Sequence, residues 1–168
     1  MRLISVDIEA DGQVPAKYSM ISLGAVCVDD LSLTFYGELA PITKTWSPDA
    51  LRVSGFSREQ TLKFEPAAKV MAEFDVWLNS VRRNDEQLRF LSDNAGFDWQ
   101  YVNYYFWHFL ERNPFGHSSL SLTSLYKGYT KNMRANFRHL RDRKHTHNAL
   151  DDAIGNAEAF NKLTNIRQ

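Results

Sequence analysis

The chain has a single cysteine, Cys27, and no excess of either charge, since twenty Lys and Arg balance twenty Asp and Glu. A lone cysteine permits neither an internal disulfide nor a zinc cluster of cysteines, so a reducing, cytoplasmic setting is expected. Zero formal charge excludes a surface that is polycationic throughout, as in a histone-like binder. Taken alone, it also argues against a nucleic-acid partner. No apolar run approaches the roughly 20 residues of a membrane span. The apolar start, Leu3 to Val6, is broken by Asp7 and is too short for a secretory signal core. Repeats, low-complexity tracts and Pro/Gly/Ser-rich linkers are lacking too, so one domain over residues 1–168 is the simplest organisation. What is there is a folding composition: 43% hydrophobic and 24% charged residues suit a globular chain and not a disordered one.

Strand signals come first. Leu3 to Ile8 is rich in β-branched residues and is followed by turn residues at Asp11-Gly12 and Pro15. Met20 to Val28 is a second strand, Asp29-Asp30 a hairpin turn, and Leu33 to Leu39 a third strand, which together predict an antiparallel meander. Helical patterns then dominate. Ser47 as N-cap with Pro48 at the first helical position opens a short helix. Pro66 opens another, with Val70, Phe74, Trp77 and Val81 at helical spacing. Arg89 to Leu91 is a short strand, Asp98 to Leu110 an aromatic helix, and Ala149 to Leu163 the last helix. This order predicts a mixed α/β domain.

Three short segments carry acidic chemistry. Strand alternation puts Ser5, Asp7 and Glu9 on one face, opposite Ile4, Val6 and Ile8. Neighbouring carboxylates repel unless solvated, protonated or bridged by a cation, and a hard divalent cation takes this ligand type. A plain solvent-facing strand accounts for the same pair. Asp98 follows Ser92 to Phe97 at a strand-to-helix junction, where it serves equally as a helix N-terminal carboxylate. His147 and Asp152 are five residues apart, about 140° around a helix, so they do not share a helix face. For the two to act together, His147 must sit in the loop before the helix, with Asn148 as N-cap. A histidine beside a helix start is also an ordinary surface or capping residue. His145 with His147 is a zinc pattern only if further soft ligands are near, and the sequence places none there.

Val6-Asp7-Ile8-Glu9, Asn94-Ala95-Gly96-Phe97-Asp98 and His147-Asn148-Ala149-Leu150-Asp151-Asp152 follow the order of three exonuclease motifs. They resemble those of the DEDD superfamily of 3′-to-5′ exonucleases, in its histidine-bearing DEDDh branch, which includes ribonuclease T, oligoribonuclease and a polymerase proofreading subunit. Ser47-Pro48-Asp49-Ala50 and Val53-Ser54-Gly55-Phe56-Ser57 are similar to a substrate-side segment of that family. The tyrosine-bearing branch has a tyrosine four residues before the last aspartate, where this chain has Asn148. Two departures are Asp93 and Ser54, which stand where many relatives have histidine.

The resemblance implies an RNase H-like fold, a mixed sheet with antiparallel first three strands and helices on both faces. It implies two divalent ions, Mg²⁺ or Mn²⁺, held by Asp7, Glu9, Asp98 and Asp152. Asp7 would bridge both ions, Glu9 and Asp152 would complete one site, and Asp98 would act through water. His147 would be the general base, a task to which imidazole is suited at neutral pH. The implied substrate is the 3′ end of single-stranded RNA or DNA, with RNA preferred. A non-catalytic end-binding module and a short-oligonucleotide or dinucleotide phosphodiesterase are the alternatives.

Aromatic residues make up 13% of the chain. Most belong in a core, but each one stacked on an unpaired base is worth about 1–3 kcal/mol. Val53, Phe56 and Asn94 are the expected contacts at the terminal nucleotide. In the aromatic helix Val102, Tyr105 and Phe109 share a core face, while Tyr101, Tyr104 and Trp107 cover much of the rest. A homodimer interface is one reading of a helix apolar nearly all round. Charge is unevenly placed. Residues 1–40 carry two basic and six acidic residues, a balance of −4, while residues 127–146 carry seven basic residues against Asp142, a balance of +6. Arg134, Arg138 and Arg141 in that segment are expected to contact phosphates. Zero net charge therefore conceals an acidic start and a basic segment leading into His147.

Overall fold

The computed structural model describes residues 1–165, so the last three positions of the expected 1–168 domain lie outside the described residues. A five-stranded sheet has the order β3-β2-β1-β4-β5. Its strands are β1 (Arg2–Ala10), β2 (Met20–Cys27), β3 (Asp30–Glu38), β4 (Leu88–Ser92) and β5 (Ser119–Ser121). The first three are antiparallel neighbours, as the turn signals predict, and β4 and β5 add in parallel on the other side of β1. The helices are α1 (Pro48–Ser54), α2 (Arg58–Thr61), α3 (Ala67–Val81), α4 (Ala95–Leu110), α5 (Leu122–Thr130) and α6 (Ala149–Asn165).

Helices cover both faces. On one face Ile4, Val6 and Ile8 of β1 pack in one cluster with Val70, Phe74 and Leu78 of α3 and Val102, Tyr105 and Phe106 of α4. On the other, Val26 and Leu91 pack with Leu122 of α5 and Ala153, Ala157 and Leu163 of α6. Strand β2 lies between the two layers and is buried along its whole length, which is why Met20 to Val28 reads as a continuous apolar run without alternation. The small side chains of α6 let it lie close to the sheet. Ser5 uses that proximity to donate a 2.7 Å hydrogen bond to the Ala153 carbonyl.

Gly24 fixes where α6 begins. It pairs with Asp7 across β1 and β2, and a Cβ built there would lie 2.3 Å from the backbone of Ala149 and Leu150. Only glycine permits this approach, which seats the first turn of α6 beside the acidic end of β1.

Several expectations change. Helix α4 starts at Ala95, three residues before the expected Asp98, so Asp98 sits inside its first turns. Tyr101, read apart from the core face, is fully buried and donates its hydroxyl to the Gly12 carbonyl at 2.9 Å. Tyr105 accepts from the Met20 backbone N–H at 2.8 Å. These two hydroxyls explain how so aromatic a helix is buried without losing polar partners. Trp107 remains exposed. Elements β5 and α5 had no separate signal in the sequence. Among the described residues, no helix is long and apolar enough to cross a membrane.

Candidate active site

Three elements meet at one end of the sheet. Strand β1 supplies Asp7 and Glu9, the start of α4 supplies Asn94, Phe97 and Asp98, and the loop before α6 supplies His145 and His147. They line an open cleft of about 270 Å³ together with Gly12, Gln13, Ala50, Val53 and Asp93. A larger cavity of about 540 Å³ between α5 and the end of α6 contains none of these groups.

Carboxylate oxygens of Asp7, Glu9 and Asp152 lie within 4.8 Å of one another. Asp98 lines the same cleft beside that triad. Burial is the main cause that raises Asp7 well above the ordinary carboxylate range, and repulsion from Asp98, Glu9 and Asp152 adds to it. Glu9 is pushed up to about 8 by burial and by the charges of Asp152 and Asp98. Asp98 is pushed up to about 7, chiefly by burial. Such a cluster binds protons tightly or takes up cations. The donor set consists of closely spaced hard oxygens, which fits a divalent ion such as Mg²⁺ or Mn²⁺.

Helix α6 begins where Asn148 caps it, with Oδ1 accepting from the N–H groups of Leu150 and Asp151 at 3.1 Å each. This leaves His147 in the preceding loop, as the five-residue spacing requires. The loop wraps around Asp152, which is 1% exposed. Asp152 accepts from the backbone N–H of Thr146 at 3.2 Å and of His147 at 2.9 Å. His145 Nδ1 lies 2.5 Å from Asp152 Oδ2. His147 adopts a left-handed backbone, φ 59°, a conformation that costs a non-glycine residue about 1 kcal/mol or more. Its half-exposed ring brings Nδ1 to 3.9 Å from Glu9 Oε1.

The remaining sequence-predicted residues divide. Val53, on α1, is exposed and lines the cleft, as does Asn94. Phe56 packs edge-on against Phe64 with ring centroids 5.1 Å apart and is not among the cleft residues. Arg134 and Arg138 are exposed. Arg141 turns inward with its side chain 4% exposed. Its Nη2 donates to Asn156 Oδ1 at 2.5 Å and to Asp93 Oδ2 at 3.4 Å, and its Nη1 lies 3.9 Å from Asp152 Oδ1. It thus ties the β4–α4 junction to α6 and offsets part of the acidic cluster. Asp93, a departure from the family pattern, is one of its partners.

Sequence reasoning missed Phe97, Gly12, Gln13 and Ala50 as cleft residues. Phe97 stands inside the second motif, next to Asp98, and that neighbourhood was its only signal. His145 was noticed only as half of a zinc pattern.

Residues 2–164 match the family described as the 3′-5′ exoribonuclease Rv2179c-like domain. The chain is similar to the 3′-5′ DNA exonuclease Cap18 of Escherichia coli, with 35% identity over 176 residues that cover 98% of this chain and 92% of that protein. Its structure is similar to cell-death related nuclease 4, with a TM-score of 0.80 at 15% identity, covering 98% of this chain and 64% of that one. It is also similar to the nuclease domain of 3′hExo, a DEDDh family member bound to rAMP, with a TM-score of 0.78 at 14% identity and coverage of 98% and 92%. The likeness to these two structures establishes the RNase H-like fold that the motifs implied.

Proposed function

The chain belongs to the 3′-5′ exoribonuclease Rv2179c-like domain family, and from that premise we propose that it is a metal-dependent 3′-to-5′ exonuclease acting on single-stranded RNA. The observation that carries this reading is the convergence of Asp7, Glu9, Asp98, Asp152 and His147 at one cleft. Asp7, Glu9 and Asp152 would hold two divalent cations, with Asp98 joining them through water. When bound, such cations offset the charge of the scissile phosphodiester and assist both the attacking water and the leaving 3′ oxygen.

The chain's own groups do the rest. His147 takes the proton of the attacking water. Its loop position, on a strained backbone at the cleft edge, lets the ring settle against a bound 3′ end. Asp152 orients that loop by accepting both the Thr146 and His147 backbone N–H groups. Val53 and Phe97 offer apolar surface to the terminal base, and Asn94 offers polar contacts. The exposed Arg134 and Arg138 hold phosphates further along the strand. One catalytic domain over 1–168, a cytoplasmic setting and a homodimer through the Trp107 side of α4 belong to the same reading.

DNA is the second reading, favoured by the 35% identical relative named as a DNA exonuclease. Digestion of 5′-labelled single-stranded RNA, single-stranded DNA, duplexes and dinucleotides separates the two. It is run with Mg²⁺, with Mn²⁺ and with chelator. The expected result is shortening from the 3′ end, faster on RNA, and abolished by chelator. Products shortened from the 5′ end, or activity that survives chelation, overturn the mechanism. Binding without cleavage indicates an end-binding module, and cleavage confined to dinucleotides indicates a phosphodiesterase of short oligonucleotides.

A further inference from the structure

The loop before α6 brings a second set of donor atoms to Asp152. One ligating atom each from His145, His147 and Asp152 lie within 4.8 Å of one another. The two imidazole rings are 4.4 Å apart, and His145 already reaches Asp152 at 2.5 Å. The sequence offered two histidines without a further ligand. The fold supplies the third donor from α6. Both rings are partly exposed, so a fourth position is open to water.

Two neutral imidazoles and one carboxylate are the donors that Zn²⁺ favours. The three-carboxylate set of Asp7, Glu9 and Asp152, equally compact, suits a hard cation instead. Asp152 belongs to both sets and is fixed by two backbone N–H groups. His147 belongs to the nitrogen-rich set and is also the proton acceptor in the proposed reaction. Occupying the nitrogen-rich set therefore withdraws one ligand and the base from the reaction together.

We propose that His145, His147 and Asp152 form a Zn²⁺ site that inhibits the enzyme by competing with the hard-cation set for Asp152. The binding half stands on the geometry of the loop. The inhibitory half rests on the exonuclease reading.

The test measures Zn²⁺ affinity of the full chain by competition with a chromophoric chelator, and Co²⁺ serves as a spectroscopic probe. Wild type, His145→Ala and Glu9→Gln are compared, with circular dichroism to establish that each is folded. Loss of His145 is expected to weaken Zn²⁺ by at least about tenfold, the lower end for disturbed metal sites. Glu9→Gln is expected to keep wild-type Zn²⁺ affinity while losing affinity for Mn²⁺. Co²⁺ is expected to give the intense visible absorption of a low-coordinate site in wild type, lost in His145→Ala. Equal Zn²⁺ affinity in wild type and His145→Ala overturns the proposal, as does a Zn²⁺ site lost only in Glu9→Gln. In the activity arm, the Zn²⁺ concentration for half inhibition is expected to rise with Mg²⁺, and to rise in His145→Ala by the factor seen in binding. A chain that binds Zn²⁺ through His145 yet degrades no substrate sinks the exonuclease reading and leaves the metal site standing.

Discussion

At the scale of single residues, the site separates the groups proposed to handle the proton and the ions from the groups that hold them in place. His147→Ala removes the proposed proton acceptor and leaves the carboxylates, so turnover is expected to fall about 10²–10⁴-fold with oligonucleotide binding retained. Asp152→Asn is expected to fall at least as far, because it also weakens the oxygen set. Single-turnover assays beside filter binding read both effects, and near-normal turnover by His147→Ala would remove it from the mechanism. Arg141 and Arg138 make a sharper contrast, since both were read as phosphate contacts. Arg141 is buried against Asp93, Asn156 and Asp152, so Arg141→Ala is expected to cost about 3 kcal/mol in urea unfolding. Arg138 is exposed, and Arg138→Ala is expected to stay within about 0.5 kcal/mol. Charge density along residues 127–146 was legible in the sequence. Which arginine faces inward was not, because that depends on Asp93 and Asn156, which are distant in sequence.

At the scale of elements, the close contact between β2 and the first turn of α6 positions Asp152 beside Asp7. Gly24→Ala places a methyl group against the Ala149–Leu150 backbone, and backbone has no alternative rotamer. The expected cost is about 1–3 kcal/mol, with a loss of activity larger than the loss of stability would cause at the assay temperature. Thermal unfolding beside turnover at low temperature separates the two, and full activity in a folded Gly24→Ala protein would show that α6 tolerates the shift. Strand alternation in β1 and the Asn148 cap of α6 were legible because both are local geometry. Gly24 was not, because it sits in an apolar run with no turn signal near it. Elements β5 and α5 were missed for a related reason. A three-residue strand has too little pattern to show, and the nine-residue helix that ends at Thr130 is short and buries only Leu122 fully.

At the scale of the whole molecule, the acidic cluster sets how stability depends on pH. Glu9 and Asp98 are held near 8 and 7, and Asp7 is raised further by burial and repulsion. A carboxyl raised on folding contributes its stability while protonated, and loses it as pH climbs through the folded value. The metal-free protein is therefore expected to melt at lower temperature at pH 8 than at pH 5. Mg²⁺ or Mn²⁺ should restore more at pH 8, at about 2–4 °C per kcal/mol for a chain of this size. Differential scanning calorimetry with and without metal checks the sign, and a metal effect that grows toward pH 5 would reverse it. The basic segment has its own measure. Arg141 and Arg143 are paired within the protein and Lys127 is half-buried, leaving Lys131, Arg134, Arg138 and Lys144 exposed in residues 127–146. Single-strand affinity should then fall with log salt at a slope of about −3, not the about −5 that all seven cations would give.

Local sequence was enough to place the candidate chemical groups. Alternation along β1 put Asp7 and Glu9 side by side, the spacing from His147 to Asp152 forced the histidine into a loop, and the order of three motifs named the family. Each of these follows from covalent geometry over a few residues. The tertiary structure alone decided that His145 reaches Asp152, that Arg141 supports the site from inside, that Phe97 lines the cleft and that Phe56 packs against Phe64 instead. Those outcomes depend on how closely separate elements approach. Side-chain volume sets that approach, as at Gly24, and local periodicity carries no record of it.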